Sequence, residues 1–256
     1  YEITTRLVGS EMCIRDSLFF IIYTGTTADK RKYGFRRAFT FRPHLLKGML
    51  SISGWTMVQS FISVSIWFIF FLAIEHLGER PLAVTNIVRN ISALLIMVIS
   101  AFATTAGALI SNQIGAGEQR YLFRTCGMTL NLTYAILVPL LVILCLFPEP
   151  VLRVFTDNPS LIAASINSVY VMSTSTLIMA PAFILFNAVS GTGNTKAGFI
   201  MEMISLTVYT AAVYYIVIRL KPDVALCWFS EHVYGIALIA LAWWYLKSGK
   251  WRGKKV

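Results

Sequence analysis

Residues 82–110, LAVTNIVRNISALLIMVISAFATTAGALI, contain a single charged side chain, Arg89. A helix on the surface of a soluble domain shows a polar face every turn or two. This run shows none, and it exceeds the roughly 20 apolar residues that cross a bilayer as a helix. It therefore reads as a membrane span. Five more runs of the same kind follow the same logic: 52–74, 125–147, 161–189, 197–219 and 225–246. The whole chain is 57% hydrophobic and 13% charged, with a mean hydropathy of +0.69, whereas soluble domains carry roughly 25% charged residues. The predicted fold class is all-α, a polytopic bundle of six membrane helices.

The net charge of +10 could suggest a nucleic-acid surface, but its distribution points to topology. Segment 30–47 (KRKYGFRRAFTFRPHLLK) carries seven Lys/Arg, 117–124 two, Lys196 one and the tail after 246 five. The alternate connections hold only Arg80, Arg153, Arg219 and Lys221. This is the positive-inside pattern, and it places the basic loop and the C-terminus in the cytoplasm. Nucleic acid is not an expected partner; the lipid bilayer is. Trp55, Trp228, Trp243, Trp244 and Trp251 fall near span ends, where amphipathic rings favour the headgroup region. The four cysteines show no metal-ligand spacing, and the expectation is plain thiols with no metal site and no cofactor.

Residues 1–17, YEITTRLVGSEMCIRDS, match nothing that follows and lack the layout of a signal peptide; they read as a non-native leader. LFFIIYTG (18–25) reads as the remnant of a preceding membrane helix, 26–47 as a basic cytoplasmic loop, 48–250 as the six-helix body and 251–256 as a cytoplasmic tail.

SGTGNTKAG (190–198) looks at first like a phosphate loop. It fails the Walker pattern, because Lys196 follows Thr195 and precedes Ala197. It also fails the dinucleotide pattern, because Lys196 stands where the third glycine belongs. The alternative is a turn between two antiparallel membrane helices, in which glycine ends one and Asn or Thr caps the next. SNQIGAGEQR (111–120) closes the second span in the same style.

The paired turns GALISNQIGAGE and FNAVSGTGNTK, their spacing, and VLRVFTDNPSLI (151–162) resemble the second half of a multidrug and toxic compound extrusion (MATE) transporter. The turn residues carrying the likeness are Gly115, Gly117, Gly191, Gly193 and Asn194, the last replacing the usual Asp. The resemblance covers residues from about 44 to 250. It implies two six-helix lobes, with this chain as the C-terminal one and an N-terminal lobe as its partner. It further implies an ion-gradient-driven antiporter, coupled to H+ or Na+, that exports organic and often cationic compounds across the cytoplasmic membrane. The alternative within the same superfamily is a lipid-linked oligosaccharide flippase. Such a cavity needs several cations to meet a pyrophosphate, and Arg89 is the one basic residue within a span. An enzyme is not expected, since His44, His76 and His232 are dispersed.

In a bilayer the informative residues are those that lipid should exclude. Arg89, Glu202 and Glu231 are the candidates for ion coupling or intramembrane charge. Arg89 and Glu231 each lie roughly 10 Å in from the outer end of their spans, at about 1.5 Å per residue, and are expected to pair. Asn86 and Asn90 are expected on the face of Arg89 and are further candidate contacts of the substrate cavity. Glu202 is expected with Ser205 and Tyr209 on one face, either coupling protons or bonding a hydroxyl or Lys196. The resemblance implies that the first and fourth spans line a substrate cavity, with Gln59, Ser63, Asn167, Thr174 and Asn187 as candidate contacts. Some relatives place an acidic residue in each of these spans to bind a coupling cation. Neither span has one here, which argues against a sodium site there. The aromatic run Trp67, Phe68, Phe70, Phe71 is expected to face lipid, although such rings also suit flat cations. Ser100, Thr104, Gly107 and Ser111 read as a stripe for close helix packing, and Pro139 and Pro181 as kinks.

Overall fold

The computed structural model describes residues 17–24, 26, 43–220, 223–249 and 251. Most of the expected leader, most of the basic loop and residues 252–256 lie outside them. Residues 17–24 are helical, in keeping with the apolar run read at 18–25.

From residue 51 onward the chain forms one unit. The α-helices described from residue 43 run in order: α1 (Pro43–Glu75), α2 (Glu79–Gly115), α3 (Leu122–Leu146), α4 (Pro148–Arg153), α5 (Pro159–Gly191), α6 (Thr195–Val213), α7 (Val224–Cys227) and α8 (Ser230–Ser248). A 3-10 turn, Gln119–Tyr121, precedes α3, and a π-helical stretch, Tyr214–Leu220, extends α6. Six rods among the described residues are long and apolar enough to cross a membrane: Ser53–Glu75, Glu79–Gly115, Gln119–Leu146, Pro159–Gly191, Thr195–Leu220 and Val224–Ser248. These are the six runs read from the sequence. The chain is a multi-pass membrane protein, and no strand occurs among the described residues.

The turn chemistry follows the residues. Gly117 sits at φ +78 beyond α2, its N–H donates to the Ile114 carbonyl and that of Glu118 to Gln113, which is the Schellman arrangement. Gly193 repeats the positive φ, +77, after α5, with its N–H on Ser190. Asn194 then caps α6, its Oδ1 accepting from the Ala197 N–H at 3.3 Å, while its Nδ2 bonds the Tyr245 hydroxyl on α8. Gly115, by contrast, ends α2 in open space.

Helix α5 is the centre of the unit and touches α2, α3, α4, α6, α7 and α8. Of the 18-residue apolar stretch in its span, 56% of residues are buried, against 17% in the first span. The α2–α5 contact is backbone on backbone. A Cβ on Gly191 would stand 2.5 Å from the Gly107 carbonyl oxygen, and one on Gly107 would stand 3.0 Å from that of Asn187. At Gly191 only glycine allows this approach, and at Gly107 any larger residue would press on the facing backbone. Above and below it, Ile91, Leu95 and Ile99 of α2 meet Met172 and Met179 of α5, and Ala103, Ala106 and Ile110 meet Ile184, Leu185 and Ala188.

Hydroxyls buried in the bundle bond their own helix: Thr129 donates to the Thr125 carbonyl, Thr133 to Thr129, Ser173 to Val169 and Thr176 to Met172. With no water in the hydrocarbon, that back-bonding is the cheapest way to hold a polar group. Leu94, Met97, Leu132 and Leu146 point outward, as a lipid-facing surface requires.

Several local expectations are corrected. Residues 43–47 belong to α1 rather than to the loop, with Pro43 opening the helix, a position that needs no N–H. Trp228 and Trp251 lie at the two ends of the last span but are packed against protein; Trp251 turns back so that its Nε1–H donates to the Leu246 carbonyl. Of the stripe on α2, Gly107 makes the close helix contact, while Ser100 and Thr104 face a cavity. Cys126, Cys145 and Cys227 are free thiols.

Four substitutions test these contacts. Gly191→Ala should lower the stability of the purified protein by about 1–3 kcal/mol, the usual penalty of overpacking, seen as a fall in thermal midpoint. Gly127→Ala, where an added Cβ meets nothing within 4 Å, should leave the midpoint equal or higher. Asn194→Ala should cost about 1 kcal/mol through the lost cap, and Asn194→Asp, which keeps the cap oxygen, should recover most of it.

Candidate functional site

The main cavity among the described residues has a volume of about 570 Å³ and lies between α1, α2, α5, α6 and α8. Helical spacing explains which side chains reach it. On α2 the lining residues are Arg89, Ile96, Ser100 and Thr104. These intervals of 7, 4 and 4 keep to one stripe of a helix turning about 100° per residue. On α5 the lining is Met179, Phe183, Phe186 and Asn187, and on α6 Glu202, Leu206 and Tyr209. Helix α8 supplies Glu231 and Tyr234, three residues apart, and α1 supplies Ser63, Val64, Trp67, Phe68 and Phe71.

All three charged candidates face this space. Glu202 is 5% exposed. Its Oε1 accepts from Ser63 Oγ of α1 at 2.9 Å and from the Tyr234 hydroxyl of α8 at 2.9 Å. Its Oε2 is buried without a hydrogen-bond partner. Ser63 also lies 3.0 Å from the Gln59 carbonyl, so its single proton is divided between two acceptors. Glu231 Oε1 accepts from the Tyr209 hydroxyl at 3.1 Å, and the Trp67 indole stands beside the same carboxyl. The two tyrosine rings meet edge to face, centroids 5.9 Å apart. Two carboxyls and two phenols from α6 and α8 thus interlock, with Ser63 tying in α1.

The expected Arg89–Glu231 ion pair does not form. The Arg89 guanidinium lies over the Phe71 ring, 5.2 Å from its centroid, and its Nε has no hydrogen-bond partner. The Glu231 carboxyl is instead engaged by the Tyr209 hydroxyl. The two charges share a cavity without touching. Ser205 and Tyr209 are buried on the face of Glu202 as expected, and the hydroxyl partners, rather than Lys196, hold its carboxyl.

Of the expected cavity contacts, Ser63 and Asn187 line it, and Gln59, Asn86, Asn90, Asn167 and Thr174 do not. Asn90 is one residue, about 100°, past Arg89, which turns it out to an exposed position. Asn167 is exposed near the start of α5. Thr174 meets His232 of α8, Oγ1 to Nε2 3.0 Å, and borders a separate apolar groove with Tyr170 and Leu177. The lining half of α5 is its aromatic half, not its hydroxyl-rich half. The aromatic run of α1 also differs from expectation. Trp67 and Phe71 line the cavity and Phe70 is buried against Trp228, because the inward stripe of α1 includes 67, 70, 71 and 74, while Phe68 borders the cavity mouth and stays largely exposed, as expected. Tyr234 and Phe183 escape the sequence reading, although Tyr234 sits at i+3 from Glu231.

The MatE family model matches residues 56–216, a stretch reaching from the first span to the π-helical end of the fifth. The chain is 24% identical over 213 residues to a probable multidrug resistance protein, NorM, of Thermotoga maritima, covering 82% of this chain and 46% of that protein. Its fold is similar to that of the Vibrio cholerae MATE transporter VcmN in the bent form, with TM-score 0.73, 16% identity, 82% of this chain and 48% of that one. It is similar also to an aspartate-to-asparagine mutant of VcmN, with TM-score 0.74, 16% identity, and 83% and 49% of the two chains. The chain spans about half the length of the relatives it matches. With six spans and a family match over more than half its residues, the chain belongs to the MatE family of membrane transporters.

Proposed function

We propose that this chain contributes one six-helix lobe to an ion-gradient-driven exporter of organic, often cationic compounds, working in the cytoplasmic membrane. The observation that carries the reading is the 570 Å³ cavity, walled by Trp67, Phe71, Phe183 and Phe186 and holding two glutamates. Apolar rings accept flat molecules of varied outline. A carboxylate in low dielectric attracts positive charge far more strongly than one in water. The combination suits molecules that are both greasy and cationic. The similarity to a probable multidrug resistance protein of Thermotoga maritima supports the same direction. A second lobe would complete the cavity, and a gradient of H+ or Na+ would drive exchange between inward and outward openings.

The proposed orientation keeps the 117–124 connection and the residues after 246 in the cytoplasm, following the lysine and arginine asymmetry.

Expressed from its complete reading frame in cells stripped of their own efflux pumps, the protein should lower ethidium accumulation several-fold. A protonophore or a sodium ionophore should abolish the difference; equal accumulation with and without the protein would overturn the export reading. For the orientation, a cysteine at Leu77 in a cysteine-free background should react with an impermeant maleimide on intact cells, and one at Lys247 should react only after lysis.

A further inference from the structure

The charged groups facing the cavity are unequally served by their neighbours. Glu202 accepts from Ser63 and Tyr234, and Glu231 accepts from Tyr209. Arg89 is half-buried, and its guanidinium lies on the face of Phe71 while its Nε is buried without a hydrogen-bond partner. Stacking on a ring engages the flat face of a guanidinium and leaves its in-plane N–H donors unspent. A planar fork of donors matches a carboxylate, two N–H groups to two oxygens. We propose that Arg89 is an anion subsite of this cavity, receiving the carboxylate of a flat aromatic acid whose ring system lies against the aromatic wall. The inference rests on the export reading and extends its substrates to acids.

The fork is held before any ligand arrives. Phe71, which carries the guanidinium, is braced by Trp67 at 5.2 Å and 57° and by Phe70 at 5.8 Å and 85°. A group fixed in advance has little freedom left to lose on binding. Along α2 the next polar residue of the lining is Ser100, roughly 16 Å further at about 1.5 Å per residue. The stretch between is apolar, and a cavity of about 570 Å³ accommodates a body of several fused rings.

The surroundings favour an aromatic acid over an inorganic anion. A small ion would gain one fork of donors, otherwise face rings, and give up its hydration. An aromatic carboxylate offsets that loss by burying its own apolar faces. Glu231 shares the cavity, and its carboxyl is already met by the Tyr209 hydroxyl, with the Trp67 indole beside it. Its negative charge repels a second anionic group in a low dielectric, so the fitting ligand carries a single acid.

The test uses the protein purified from its complete reading frame and placed in nanodiscs. Anthracene carboxylate and its uncharged methyl ester serve as matched probes, with binding read by energy transfer from tryptophan. The acid should bind saturably. Arg89→Gln should weaken it about tenfold or more, as removal of one partner of a desolvated charge pair does, while the ester stays within twofold and reports an intact cavity. Arg89→Lys, which keeps the charge and loses the fork, should fall between the two. A wild-type protein that binds the ester but not the acid would overturn the assignment. So would equal acid affinity in wild type and Arg89→Gln, the result expected if a carboxylate from the other lobe holds the guanidinium. Should Arg89→Gln lose the ester as well, the wild-type protein decides through phenylglyoxal, which modifies free guanidinium groups. The acid, and not the ester, should slow modification of Arg89 several-fold by peptide mass spectrometry; equal rates, or no modification at all, refute the proposal. Arg89-dependent acid binding in a protein that exports neither the acid nor ethidium would refute the export reading and leave the subsite standing.

Discussion

Two glycines carry the architecture. Gly107 and Gly191 let the backbones of α2 and α5 meet with no side chain between them. In lipid, where burial of apolar surface gives helices little reason to associate, contact of this closeness is a main source of cohesion. The other helices are arranged about that pair: α3 packs on both of them, α6 and α8 close around the same central helix, and α4 and α7 lie against it too. Helix α1 stands off from this group, held mainly through Phe70, Ile74 and the Ser63–Glu202 bond. The cavity is the space that its separation leaves.

That arrangement explains how two glutamates persist at membrane depth. Each accepts a hydroxyl from a neighbouring helix, and the hydroxyls belong to tyrosines whose rings brace one another. The polar cluster is therefore also a fastening between α6 and α8. Removal of either phenol would loosen a helix contact and strand a carboxyl together, so structural and chemical roles cannot be separated by a single deletion.

The six spans were legible because lipid imposes one rule on every residue of a crossing helix, and a run such as 82–110 obeys it without reference to anything distant. The two glycine turns were legible for a similar reason: positive φ and an amide cap are local demands, met by Gly117, Gly193 and Asn194 within their own segments. The cavity was only half legible. Arg89, Glu202 and Glu231 announced themselves by their cost in lipid, yet which of them touch was decided by the rotation of each helix about its axis. A long apolar helix carries no amphipathic signal of that rotation. Hence Trp67 and Phe71 read as lipid-facing and prove to line the cavity, while Asn167 and Thr174 read as cavity residues and prove to lie outside it.

The wide turn at Tyr214–Leu220 carries one further consequence. A π-helical segment accommodates an extra residue within an otherwise regular rod, and Val217 stays in one cluster with Tyr209 and Val213, beside Phe70 and Ile74, while Tyr214 and Tyr215 face outward. A family member lacking that residue would have an unbroken α-helix here, and its alignment with this chain would carry a one-position gap inside a membrane span. Such a gap, usually taken as an alignment error, would mark the point where two relatives aim the outer end of the same helix in different directions.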